Sequence, residues 1–351
     1  MIFWISILVL LLIYPSKKQG ISLYFFVIVA LISAIRYDIG YDYINYLDII
    51  IGNYDYDVAY DRLEFLPKFM INLSRSTQFS QLFFIITSIL IIGGVAYFIN
   101  KESHNKKMSI LLFRCIPLFF WSSFSIIRQM MAVTFGLLMI KNVFDENKYK
   151  SIFYFLLAIL SHNSAYILIL TFLAKKIKFK KYVYLILFVL SFALYPLFYK
   201  LLANYGNFFL FEHALLYVDL NEDLKGNTSI WILFNVIFLL LYIILYEAKN
   251  LDKQTSYYFN IFFIGIVLFN VFSPVAVLAG RLSIYFTISL IVILPNLVQK
   301  KSGLTKSLFT IGVYIVGVML YIYTIFLATS SFEKGLTIKD PYCPYKTVLL
   351  K

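Results

Sequence analysis

The sequence predicts an all-α, polytopic integral membrane protein. Three observations carry that prediction. Apolar runs of bilayer length recur along the chain, only 14% of residues are charged against 61% hydrophobic, and the lysines gather in clusters at alternate ends of the runs. A soluble protein of this composition would lack the polar surface to cover its core. About 20 apolar helical residues, by contrast, match the roughly 30 Å of hydrocarbon in a membrane.

Candidate spans fall at residues 2–15, 20–36, 80–99, 108–124, 127–144, 182–199, 230–246, 257–279, 282–298 and 307–328. The first is short for a full crossing. Its opening, Met1-Ile2-Phe3-Trp4, has neither a basic leader nor a small-residue cleavage site, so it reads as a retained span. Inner loops are marked by Lys17 and Lys18, by Lys101, Lys106 and Lys107, by Lys141, Lys148 and Lys150, by Lys249 and Lys253, and by Lys300, Lys301 and Lys306. Basic residues accumulate on the cytoplasmic side of a membrane, and these loops together with the five lysines at 175–181 carry the whole formal net charge of +13. None of the arginines lies among them. Two long outer loops follow, 37–79 and 200–229.

Residues 151–174 could form one span, yet that would strand Lys175, Lys176, Lys178, Lys180 and Lys181 outside, opposite Lys148 and Lys150. The reading that respects charge is a re-entrant hairpin turning at Ser161-His162-Asn163-Ser164. Non-helical backbone at such depth needs protein or a water-filled cavity around it. The whole chain, 1–351, is then a single integral membrane domain with ten spans, the hairpin and both ends outside. The basic balance belongs to topology, so no nucleic acid is expected as a partner. Cys115 and Cys343 show no metal-type spacing.

Against this background the arginines off the inner loops require another explanation. Arg36 closes the second span and opens a run containing Asp38, Tyr41, Asp42, Tyr43 and Tyr46, a mixture of carboxylates and phenols suited to a sugar. A snorkelling arginine beside an interfacial aromatic belt is the competing reading. Arg128 begins the fifth span and Arg281 lies between two others. An arginine costs about 2.5–3.5 kcal/mol at a helix centre on insertion scales, so three at similar depth fit planar recognition of phosphate oxygens. Intramembrane pairing with Asp38, Asp42 or Glu64 is the alternative. Arg114, inside the fourth span, reads as a buried structural cation. His162, at the tip of a polar turn, can accept a proton from a hydroxyl, with Asp42 and Glu64 as reserve bases. The Asp55-x-Asp57 pattern resembles a nucleotide-sugar metal motif but sits in an aspartate-rich outer loop, so no metal is expected there.

These segments resemble the Wzy-type polysaccharide polymerases, and most closely the EpsG-like family. The matching pieces are Arg36-x-x-x-Gly40-x-Asp42-x-x-x-Tyr46, Ile127-Arg128-Gln129 before an Ala132-containing span, His162-Asn163-Ser164-Ala165, and Arg281-x-x-x-Tyr285-Phe286. The resemblance implies a GT-C-like architecture in the bacterial cytoplasmic membrane. It also implies metal-independent glycosyl transfer without a cofactor, joining repeat units of O-antigen, capsule or exopolysaccharide carried on undecaprenyl diphosphate. The donor and acceptor lipids are then the partners, together with membrane lipid, a flippase and a chain-length regulator. Carried onto these motifs, His162, Asp42 and Glu64 are the catalytic candidates. Arg36, Arg128 and Arg281 would hold diphosphate, and Tyr41, Tyr43, Tyr46 and Tyr285 would contact sugar. A ligase using the same lipid donor would need the same arginines, whereas a flippase or other transporter would need polar residues through several span centres. The spans at 182–199, 230–246 and 307–328 are almost wholly apolar or aromatic.

Overall fold

The computed structural model describes residues 2–13, 21–53, 57–177, 179–205, 228–247, 252–273, 276–333 and 342–350. Among these, the secondary structure is helical, and the one extended pairing is an isolated bridge between Arg36 and Thr347. Four helices are long and apolar enough to cross a membrane: Gln81–Glu102, Ile127–Phe144, Lys253–Val271 and Gly303–Phe326. A fifth candidate is the pair Val277–Thr287 and Leu290–Gln299, bent by 44°. Shorter apolar helices occupy Ile2–Leu12, Lys181–Leu194 and Trp231–Ile244.

The chain divides into two compact units, one built from Met1–Tyr166 with Pro295–Lys351 and the other from Ile167–Leu294. The first contains α1 (Ile2–Ile13), α2 (Ile21–Ala34), α3 (Tyr43–Ile51), α4 (Asp57–Asp61), α5 (Phe65–Ser76), α6 (Gln81–Glu102), α7 (Lys106–Cys115), α8 (Ser122–Ser125), α9 (Ile127–Phe144) and α10 (Lys148–Ser161), followed much later by the Gly303–Glu333 helix. At the centre α6 packs on α2 and α9, and α9 packs on α10. Close approach of α6 to α9 depends on Gly94, where a Cβ would lie 2.2 Å from the Thr134 Cγ2. Between α2 and α6, Ser33 and Ser88 exchange a buried hydroxyl bond of 2.8 Å.

Side-chain contacts define two ends of this bundle. At one end the Glu102 carboxylate of α6 meets Lys141 of α9 at 3.6 Å, Lys141 also pairs with Asp145, and Asn296 binds the backbone of Glu102 and His104. Lys107 joins them by donating to the Leu12 carbonyl at the close of α1. At the other end Gln81, the first residue of α6, donates to the carbonyls of Ala34 and Arg36 at 2.6 and 3.0 Å. The site described below is at this second end.

The outer loop expected at 37–79 is largely helical, with α3, α4 and α5 folded within it. Each element is too short to register as a span, but α3 is amphipathic and buries Tyr43, Tyr46, Ile49 and Ile50 on one face. The span expected at 108–124 is broken. Its helix stops at Cys115, where Pro117 follows, and a proline removes an amide and drives its predecessor out of helical geometry. The boundaries expected at 257–279 and 282–298 also shift: helices run Lys253–Val271, Ala276–Thr287 and Leu290–Gln299. Hydropathy cannot see these breaks because the turns between the helices are themselves apolar. Most of the 200–229 loop, from 206 to 227, lies outside the described residues.

Within the second unit, Asn260 ties the chain together by accepting from the Tyr184 hydroxyl at 2.5 Å and donating to the carbonyls of Ala174 and Ile177. Asn270 donates to Ser191 at 3.0 Å. Gly265 is pressed against Thr287 and Phe286, leaving no room for a side chain.

Candidate functional site

Four of the expected site residues converge in the first unit. Arg128 occupies the first turn of α9, where the helix macrodipole opposes a cation. Its guanidinium is compensated from outside the helix. Nη1 donates to Glu64 Oε2 at 2.6 Å and Nε donates to the Tyr46 hydroxyl at 2.9 Å. Charge-assisted bonds of this kind are roughly twice as strong as neutral ones. The Arg128 side chain keeps 30% of its surface exposed, while Glu64 is 8% exposed. Glu64 is the residue that precedes α5, so its carboxylate is fixed by a short helix packed against α6 and α10.

The second Glu64 oxygen faces the break after α10. Oε1 accepts the Asn163 amide at 3.1 Å and lies 4.0 Å from His162 Nδ1. His162 ends α10 in extended geometry, with φ −161° and ψ 129°. A 3₁₀ segment, Asn163–Leu170, follows, and then the short helix Thr171–Lys176. His162 Nδ1 receives the Ser164 backbone amide at 3.1 Å and contacts the Ser164 hydroxyl at 3.0 Å. A backbone N–H can only donate, so Nδ1 is an acceptor here and the neutral ring carries its proton on Nε2.

Tyr46 is buried, with 5% of its surface exposed. Burial pushes its phenol up to about 12, with the Arg128 guanidinium pulling in the opposite sense and the charges of Asp42 and Glu64 adding to the rise. The group therefore stays protonated and bonds Arg128 through its oxygen lone pair. Asp42 precedes α3, with no side-chain bond to the helix amides, and its carbonyl accepts from the Tyr46 amide. Tyr43 is 1% exposed, stacks on Phe84 at 4.2 Å and donates to Gln81 at 3.1 Å. Burial raises its phenol to about 12 as well, against the pull of Arg36. Tyr41 alone of the three is open, at 58% exposure, with its amide on the Ser125 hydroxyl.

Arg36 differs from its expected setting. It is 1% exposed, and Nη1 donates to the Ser33 carbonyl, the Ser33 hydroxyl and the Ser88 hydroxyl at 2.5, 2.9 and 3.1 Å. The guanidinium lies 5.3 Å from the Phe84 centroid and 5.0 Å from that of Phe124. Nε and Nη2 find no acceptor among the described residues. Arg114 is buried likewise, within 3.6–5.2 Å of the rings of Trp4, Phe120, Trp121 and Tyr321. Arg281 and Tyr285 belong to the second unit, on the Ala276–Thr287 helix, where Tyr285 is fully buried. Asp55 lies outside the described residues, as does the side chain of Asp57. Among the described residues no group of three or more His, Cys, Asp or Glu side chains could hold a metal ion.

Gly40 explains why the Arg36-to-Tyr46 segment can lie so close to α8. Its φ is +95°, and a Cβ there would stand 2.1 Å from the Phe124 carbonyl oxygen. The tail 342–350 closes over the same place. The Tyr37 amide donates to the Lys346 carbonyl at 3.0 Å, and the Val348 amide donates to Ile35 at 3.0 Å. Tyr345 donates to the Ile32 carbonyl at 2.6 Å, and Tyr342 accepts the Trp4 indole N–H at 2.8 Å on its carbonyl. The sequence assigns no role to this tail or to Gln81, and it marks Ser164 only as part of the turn, not as the partner of the His162 ring. A glutamine opening an apolar helix and a serine two residues beyond a histidine were the available signals.

No curated protein and no solved structure matches the chain significantly. A match to a family is nevertheless extensive, and it takes in Arg36, Glu64, Arg128, His162, Arg281 and most of the tail. Because the sequence model of the EpsG family matches residues 20–347, nearly the whole length, the chain belongs to the EpsG family, and EpsG-like proteins are Wzy-type polymerases.

Proposed function

We propose that this chain is a polysaccharide polymerase. It joins undecaprenyl-diphosphate-linked repeat units on the outer face of the bacterial cytoplasmic membrane, in a ten-span GT-C-like frame whose 151–174 segment re-enters from the cytoplasmic side. Family membership points to a polysaccharide polymerase-type membrane protein. The single observation that carries the finer reading is the meeting of Arg128, Glu64, Tyr46 and His162, in which one carboxylate lies near both a partly open guanidinium and an imidazole.

In the reaction, an acceptor hydroxyl attacks carbon one of the donor sugar. The bond from that carbon to the phosphate oxygen breaks, the hydroxyl proton passes to a base, and undecaprenyl diphosphate departs with the electron pair. Arg128 is the cation for the departing diphosphate, since donors aimed at developing charge lower the barrier more than they tighten ground-state binding. His162 is the base. Arg281, in the second unit, is a separate candidate cation for lipid diphosphate, and Tyr41 is the open sugar platform. Arg36, Tyr43 and Tyr46 hold the segment that presents Tyr41 and Asp42. Tyr285 supports Arg281 from the same helix.

The test is purified protein in proteoliposomes supplied with lipid-linked repeat unit alone. A polymerase lengthens it into a ladder. A ligase leaves it unchanged until a different acceptor is added, and a flippase moves it across the bilayer without forming a bond. Absence of a ladder with an authentic repeat unit sinks the proposal.

A further inference from the structure

Arg128 is proposed above to hold a diphosphate, yet its guanidinium is already neutralised by Glu64 at 2.6 Å. His162 is proposed as the base, yet its Nδ1 accepts from Ser164, leaving the proton on the nitrogen that would have to receive one. Both obstacles involve the same carboxylate. Glu64 stands between Arg128 and His162, bonded to the first and 4.0 Å from Nδ1 of the second, just beyond hydrogen-bond reach.

We propose, resting on the polymerase reading, that Glu64 is a positioning residue that passes from Arg128 to His162 when a diphosphate takes Arg128. The incoming anion supplies the acceptors that Nη1 loses. The released carboxylate swings to the imidazole and accepts a hydrogen bond from Nδ1–H. His162 remains neutral in the exchange, giving its Nε2 proton to water and taking one at Nδ1, and Ser164 turns its amide and hydroxyl elsewhere. Nε2 then carries no proton and can accept one from an acceptor hydroxyl. When it takes that proton, the imidazolium is stabilised by the Glu64 carboxylate, as in other carboxylate–histidine pairs. The base is thus set only while a donor diphosphate is bound. Glu64 itself is poorly suited to be the base, because in the resting site one oxygen is engaged by Arg128 and the other by the Asn163 amide.

The readout is the tautomer of His162, followed by nitrogen NMR on full-length protein labelled at its 3 histidines and held in lipid nanodiscs. A His162→Gln sample identifies the signal. Without ligand the ring should show the Nε2–H pattern. Saturating inorganic diphosphate, or undecaprenyl diphosphate in the same discs, should convert it to Nδ1–H. A response to the lipid form alone still supports the exchange and assigns it to the carried substrate. In Glu64→Gln, diphosphate should bind as tightly as before or more tightly, since its competitor is gone. The tautomer should no longer respond, and kcat should fall at least about tenfold without a rise in KM.

If wild-type protein binds diphosphate and lengthens lipid-linked units while the ring stays Nε2–H, the exchange is wrong and the polymerase reading stands. If it neither binds diphosphate nor lengthens the units, both fall. Should Glu64→Gln fail to fold, the wild-type titration decides alone.

Discussion

Arg36 and Arg128 lie near the same end of the first unit and have opposite surroundings. Arg36 is sealed between Phe84 and Phe124 and bonded to a carbonyl and two serine hydroxyls, and no carboxylate pairs with it among the described residues. Arg128 is partly open and paired with a carboxylate and a phenol. Stacked between rings, a guanidinium gains about 2 kcal/mol or more once desolvated, and no ligand can reach it without parting those rings. An exposed guanidinium held by a carboxylate has a partner that another anion can replace. One arginine is therefore built into the frame and the other is available for exchange, although both stand in similar sequence contexts at a span end.

The sharpest way to break that comparison is to truncate both. Arg128→Ala should leave a folded protein whose polymer output falls at least about 100-fold, the usual scale for losing a transition-state charge contact. Arg36→Ala should instead reduce the yield of monodisperse protein in detergent. Size-exclusion profiles beside product ladders measure both, and a well-folded but inactive Arg36→Ala would collapse the distinction. Next in size is Gly40→Ala. The strained φ and the contact with Phe124 together should cost about 2–4 kcal/mol, read as a lowered melting temperature. Tyr46→Phe leaves Arg128 Nε without its acceptor and should lower kcat/KM about tenfold with little change in folding; an unchanged value would make Tyr46 a packing residue only. The smallest effect concerns alkaline pH. The Tyr43 and Tyr46 phenols rise from 10.0 to about 12 on folding, so the native state holds these protons more tightly. Their contribution is full below pH 10 and is lost as pH approaches 12. Melting temperatures taken across that window should fall, and less steeply in Tyr43→Phe.

Helicity, the Gln81–Glu102 and Ile127–Phe144 helices and the break at His162 were all legible, because apolar period and polar interruption write directly into sequence. So was the company of Arg128 and Glu64, as one of several possible intramembrane pairs. What could not be read was depth. Whether an arginine faces a hollow or a pair of phenylalanines depends on how α6 and α8 pack, and that is settled by residues such as Gly40 and Gln81, remote in sequence from the charge they place. Tyr43, Tyr46 and Tyr285 looked like open sugar contacts for the same reason, and each is buried. Burial in a chain this apolar leaves little contrast for a pattern to reveal.

The tail's bonds to the Arg36 turn have a topological consequence. Bonds of 3.0 Å from Tyr37 to Lys346 and from Val348 to Ile35 cannot reach through a hydrocarbon layer, so these two stretches share one compartment. The chain between them must traverse the bilayer an even number of times, whichever segments are counted as crossings. Trp4, bonded to the Tyr342 carbonyl, joins the same side. A membrane-impermeant thiol reagent that reaches Cys343 must accordingly reach a cysteine placed at Tyr41, and any topology map that separates them contradicts the fold.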